Sequence, residues 1–175
     1  MLFKLFIAVV PACLGICAEP LLPAGSKAPD WSLRDVKDVT YDSARFARRT
    51  LLIVGGDKSS KQENELWVDR TMETCGASLA IVGVADVSSA PRFFRSRLKS
   101  QFQESESSRA SGRMGVPLLL DWDGSVAGSF HFAQKVPNVF LVGPDGLLRF
   151  AAAGRLTEKL LTQLCGAVIT GSPEK

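Results

Sequence analysis

Four cysteines and a single histidine are the residues of this 175-residue chain best suited to covalent or metal chemistry. Cys13 and Cys17 lie in an apolar N-terminal stretch, and Cys75 and Cys165 lie far apart in the body of the chain. No Cys-x-x-Cys and no His/Cys cluster occurs downstream of Cys17. With His131 alone, neither a histidine-based zinc site nor a Ser-His-Asp triad has partners to draw on. No cofactor-binding motif and no metal-ligand set is present. One further polar run is chemically suggestive: Asp57, Lys58, Ser59, Ser60 and Lys61 precede a helical pattern. Unpaired N–H groups at a helix start, together with Lys58 and Lys61, favour negative charge and so a contact with an anion or a peptide. The alternative is a solvated loop with a helix cap. A perturbed, catalytic Lys58 amine needs burial, which its polar neighbours oppose.

The address of the protein is written at its N-terminus. Lys4 supplies a positive charge, Leu5 to Val10 is apolar, and apolar character resumes after Pro11 as far as Cys17. Small Ala18 then precedes Glu19-Pro20. This is the pattern of a secretory signal peptide over residues 1–18, cleaved after Ala18, with an uncleaved anchor or a lipoprotein as alternatives. The run is shorter and more broken than the roughly 20 apolar residues of a membrane span. Export leaves Cys75 and Cys165 in an oxidising compartment, periplasmic or extracellular, where a disulfide persists. Contact with the membrane is then transient, through the signal segment.

The bulk composition excludes other classes. Hydrophobic residues make up 46 % and charged residues 22 %, the proportions of a globular domain with a sizeable core. Net charge is +3, and +2 once Lys4 is removed, too small an excess for a nucleic-acid-binding protein.

The elements that must position these residues follow from the apolar pattern. Residues 19–30 are rich in Pro, Gly and Ala and read as extended, and Trp31 to Val39 as short strands. Asp42 caps a helical turn. Leu51 to Val54, ended by Gly55-Gly56, is a strand buried on both faces. Ser59 or Ser60 caps a helix from Lys61 to Thr74, which Gly76 stops. Leu79 to Ala85 is a second buried strand, and Pro91 opens a helix to Phe102. Residues 103–115 read as a mobile loop or frayed helix end. Val116 to Leu120 and Val139 to Val142 are further strands, with one or two helical turns within 126–133. Pro144-Asp145-Gly146 turns the last of these strands into a hairpin with Leu147 to Ala152. Thr157 caps a final helix to Val168, and residues 171–175 form a flexible tail. Phe93, Phe94, Phe102, Phe130 and Phe132 read as core, with the lining of a groove as the alternative. Arg92, Arg95, Arg97 and Lys99 read as a solvated basic face, with attraction to anionic lipid or an acidic partner as the weaker option. Alternating buried strands and helices argue an α/β fold, a central mixed β-sheet with helices on both faces.

Four segments carry a resemblance. Gly25-Ser26-Lys27-Ala28-Pro29-Asp30-Trp31-Ser32-Leu33-Arg34-Asp35 resembles the opening motif of the redoxin group, which contains peroxiredoxins and membrane-tethered thioredoxin-like proteins. Lys135-Val136-Pro137-Asn138-Val139-Phe140-Leu141-Val142-Gly143-Pro144-Asp145-Gly146-Leu147 is similar to that group's cis-proline, strand, Asp-Gly turn and second strand. The likeness spans residues 24–168. Gly56 to Asn64 and Phe94 to Ser100 look closest to the periplasmic YtfJ-type branch.

The resemblance implies a thioredoxin-like domain over residues 19–170 and a cis peptide bond before Pro137, beside a substrate groove. It also exposes a departure. The redox thiol of such folds sits at the start of the helix after the first core strand, where the helix dipole lowers its pKa. Here that position holds Ser59 or Ser60, so the site loop is degenerate and its usual thiol chemistry is chemically excluded. The same fold would bring the helices carrying Cys75 and Cys165 to one face of the sheet. They are then either a disulfide closing a long loop, stabilising by up to about 4 kcal/mol, or two buried thiols. The function implied is non-catalytic binding of an envelope protein or peptide. The rival functions are an atypical thiol oxidoreductase or peroxidase using Cys75 with Cys165, and a purely structural role.

Overall fold

A computed structural model describes residues 20–76, 79–109 and 115–170. The expectations for the signal segment, for residues 110–114 and for the tail lie outside the described residues. Seven strands form one mixed sheet in the order β2-β1-β5-β4-β3-β6-β7. They are β1 (Ser32–Asp35), β2 (Thr40–Asp42), β3 (Leu51–Gly56), β4 (Ala80–Asp86), β5 (Leu118–Asp121), β6 (Asn138–Val142) and β7 (Leu148–Ala153). Four helices flank it: α1 (Lys61–Cys75), α2 (Arg95–Arg109), α3 (Ser125–Ser129) and α4 (Glu158–Thr170). No described helix is long and apolar enough to cross a membrane.

The continuous apolar run of β3 explains the centre of the sheet. All six of its residues are buried between parallel β4 and antiparallel β6. Successive side chains of a strand point to opposite faces. Leu51 and Ile53 therefore join Val82, Val84, Phe130 and Phe140 on one face, while Leu52 and Val54 join Trp67, Val68, Val139 and Leu164 on the other. The second face is the one that α1 and α4 cover together. A strand buried on both sides must be apolar at every position, as the sequence showed.

The hairpin turn at Pro144-Asp145-Gly146 and the Thr157 cap form as expected, with the Leu160 N–H donating to Thr157 Oγ1 at 3.2 Å. Of the two readings of residues 103–115, the helical one holds over 103–109, where α2 continues beyond Phe102. Other expectations are corrected. Phe93 and Phe94 are not core: they are 86 % and 41 % exposed. A 3-10 turn over Arg92–Phe94 leads into α2. Its tighter winding shifts the phase of these two rings against Leu98 and Phe102, which carry the packed face. Phe102, Phe130 and Phe132 do pack against the core.

Candidate functional site

The pairing register builds the site. Gly55 of β3 lies opposite Asn138 of β6, and Asn138 lies opposite Ala153 of β7. Three connections therefore meet at one end of the sheet: the loop from β3 to α1, the 133–137 loop before β6, and the Gly154 turn after β7. Asp57, Lys58, Ser59, Ser60, Lys61 and Pro137 all lie here.

Asp57 organises the first connection. Its Oδ1 accepts the Ser59 N–H at 2.8 Å and also the Ser59 hydroxyl. Asp57 thereby caps a 3-10 turn over Lys58–Ser60 that runs into α1. The cap is thus Asp57 and not a serine, since Ser60 makes no side-chain cap to α1. Ser60 is instead 1 % exposed. Its hydroxyl donates to the Asp57 carbonyl at 2.9 Å and accepts from Asn64 Nδ2 at 3.2 Å. Gly56 makes room for it: a Cβ on Gly56 would lie 2.3 Å from Ser60 Oγ and 3.0 Å from the Val136 carbonyl.

The second connection is tied to the first. Asp57 Oδ2 accepts the main-chain N–H of Lys135 at 2.9 Å. Burial pushes the Asp57 carboxyl up, but the hydrogen bonds from Ser59, Lys135 and Ser60 outweigh it and hold the group below the usual carboxylate range. Lys135 itself sits in the left-handed region at φ 63°. Fully buried Asn138 closes the loop on itself: its Oδ1 accepts the Ala133 N–H at 2.7 Å, and its Nδ2 donates to the carbonyls of Ala133 and Val136 at 2.9 and 3.0 Å. The third connection is anchored by the Trp67 indole, which donates to the Gly154 carbonyl at 3.0 Å, and by the Gly154 N–H, which donates to the Pro137 carbonyl at 2.9 Å.

Pro137 is buried at this site, but the bond before it is trans, because no cis peptide occurs among the described residues. The sequence likeness to a cis-proline segment is corrected accordingly. The Val136 carbonyl is held by Asn138 within the protein. Lys58, Lys61 and Lys135 are exposed on these loops, and Arg155 pairs with Glu63 at 3.6 Å. Reading the sequence misses Lys135 and Asn138 as organisers of the site. Their signal, a polar residue at each side of Val136-Pro137, is too short to read without the register.

Cys75 and Cys165 are joined in a disulfide with Cα atoms 5.6 Å apart, inside the normal range for such a bridge. It ties the last turn of α1 to α4. At a 1.5 Å rise per residue, that places it about 22 Å along α1 from Ser60. A helix C-terminus disfavours a thiolate, so the bridge lies at the wrong end of α1 for the dipole to activate a nucleophile. His131 stands in a turn, its Nδ1 3.1 Å from the Pro20 carbonyl. No group of three potential metal ligands occurs among the described residues.

A groove of about 420 Å³ opens elsewhere, between β1, β5 and α2. Its charges are largely satisfied within the protein. Lys99 pairs with Asp38 at 2.5 Å, and Arg95 donates to the Trp122 carbonyl at 2.9 Å.

No family model matches the chain, and no curated protein matches its sequence. Solved structures match its fold. The exposed lipoprotein thioredoxin of Streptococcus pneumoniae superposes at TM-score 0.60 with 13 % identity, over 79 % of this chain and 98 % of that one. The thioredoxin domain of a thiol-disulfide oxidoreductase from Bacteroides vulgatus gives TM-score 0.58 and 16 % identity, over 84 % and 99 %. A member of the Sco family of cytochrome c oxidase assembly proteins gives TM-score 0.63 and 10 % identity, over 90 % and 100 %. Taken with the seven-stranded mixed sheet, these matches make the fold of this chain thioredoxin-like.

Proposed function

We propose that the protein is a non-catalytic thioredoxin-fold component of the cell envelope that binds a segment of another protein over the loops around Asp57 and Pro137. The observation that carries this reading is Ser60. It stands at the start of the helix after the central strand, buried, with its hydroxyl engaged as both donor and acceptor. Neither it nor Ser59 offers a thiol for disulfide exchange or peroxide reduction. The exposed Lys58, Lys61 and Lys135 support an acidic partner segment. Export is supported by the Lys4-to-Ala18 pattern and by the presence of a disulfide. The likeness of residues 56–64 and 94–100 supports the YtfJ-type branch within the thioredoxin-like proteins.

The test is photo-crosslinking in the exported, full-length protein, with a photoreactive side chain placed at Lys58 or Gln134 and, as a control, at Lys159 on exposed α4. A discrete protein adduct from the first two positions and none from the third is expected. Adducts from all three alike, or from none, sink the binding reading. Intact mass of the same protein shows whether cleavage follows Ala18.

One observation favours a second reading, an oxidoreductase that cycles Cys75 and Cys165: the two are bonded, and both are only partly buried. Mass spectrometry after thiol alkylation in buffers of set potential separates the two. A bridge that stays closed until below about −300 mV is structural, while one that titrates between about −120 and −230 mV is a redox couple.

A further inference from the structure

We propose that the face built by Arg92, Phe93, Phe94 and Arg97 docks on an anionic lipid surface. The Phe93 ring is 86 % exposed, the most exposed large apolar side chain among the described residues, and it meets Phe94 edge-on at 6.1 Å between centroids. Both rings are carried by a short turn, Phe93 largely and Phe94 partly exposed. An exposed aromatic pair beside cations fits insertion between lipid headgroups, where the aromatic body is buried and its cationic neighbours stay at the surface.

Along the chain, the charge on either side of the rings is of one sign. Residues 87–103 contain Arg92, Arg95, Arg97 and Lys99 and no acidic residue. Arg95 and Lys99 are engaged elsewhere, with Trp122 and with Asp38 respectively. Arg97 lies over the Phe94 ring at 5.5 Å, and no ion pair among the described residues involves Arg97 or Arg92. Two uncompensated guanidinium groups beside exposed rings complement an anionic surface. Each basic residue near such a surface contributes about fivefold in affinity.

The test is co-sedimentation of the full-length protein with vesicles of phosphatidylcholine alone and of phosphatidylcholine mixed with phosphatidylglycerol. A preference for the anionic vesicles is expected, weakening as ionic strength rises. Arg92→Gln with Arg97→Gln is expected to reduce it about thirtyfold, and Phe93→Ser about tenfold. Arg48→Gln with Arg49→Gln, two exposed arginines elsewhere, is expected to leave it unchanged. The exposed positions of all these side chains make misfolding an unsuitable explanation, and circular dichroism checks the fold. Equal binding to neutral vesicles, or an anionic preference that these variants leave intact, overturns the proposal. So does self-association or protein binding that Phe93→Ser abolishes while vesicles are not bound at all, which assigns the face to a protein partner.

Discussion

The carboxylate of Asp57 accepts the main-chain N–H of Lys135 at 2.9 Å, joining two loops 78 residues apart in sequence. That one side chain both caps the turn into α1 and holds the loop before Pro137, so removing it releases both at once. Asp57→Ala is expected to cost about 1 kcal/mol in urea denaturation at pH 7. The folded carboxyl titrates below its ordinary value. Its contribution is therefore complete above the unfolded value of about 3.9 and is lost as pH falls through the lower, folded one. The gap between wild type and Asp57→Ala is expected to close below that point. A gap equally large in acid would mean that Asp57 acts through packing alone.

Gly56 gives a steric test of the same loop. A methyl group there would meet the Ser60 side chain and the Val136 carbonyl, neither of which can withdraw without breaking the hydrogen bonds of the site. Gly56→Ala is expected to destabilise by about 1–3 kcal/mol. Pairing it with Ser60→Gly is expected to recover part of that loss, since the closer of the two contacts is then removed. Additive losses in the double variant would contradict the contact.

The contrast between what could be read from the residues and what could not has a physical basis. Leu51–Val54 and Val139–Val142 were legible as neighbouring buried strands because a strand covered on both faces leaves no polar position. The Asp-Gly turn and the Thr157 cap were legible because their chemistry is local. The Asp57–Lys135 bond was not, since its acceptor and donor are brought together only by the pairing of Gly55 with Asn138. The isomer at Pro137 and the exposure of Phe93 were misjudged for a related reason. The first depends on the surrounding loops, and the second on how a 3-10 turn phases the start of α2. The pairing of β1 with β5 likewise has no local signal.

Asp121 is expected to behave oppositely to Asp57. It is fully buried, and its Oδ2 accepts the N–H groups of Val126 and Ala127 at 3.0 and 2.8 Å. Burial pushes its carboxyl up; the Ala127 N–H opposes this, but Asp123 and Asp86 push it further up, and the net shift is upward. A folded value above the unfolded one means that Asp121 contributes most below about 3.9, and that this contribution is lost as pH rises through the folded value. Asp121→Asn keeps an oxygen for the two N–H groups and removes the charge. It is expected to stabilise the protein by roughly 1 kcal/mol at pH 7, with the gain shrinking as the pH is lowered. A loss of stability at pH 7 would show that the ionised form is needed to hold α3.

The Cys75–Cys165 bridge closes a loop of 90 residues and ties α1 to α4 over the same face of the sheet. Trp67, Val68, Leu164 and Val168 already pack there without it. The chain-entropy contribution of such a loop is about 4 kcal/mol, carried by the unfolded state. Cys75→Ala with Cys165→Ala is therefore expected to lower stability by about 2–4 kcal/mol while the folded protein keeps its circular dichroism spectrum and its crosslinks from Lys58. Reduction of the wild type is expected to give the same loss, because it removes the same constraint. If reduction instead left stability unchanged but abolished the crosslinks, the bridge would be coupled to the binding loops at the far end of α1. The disulfide would then act as a control on the site and not as a staple of the fold.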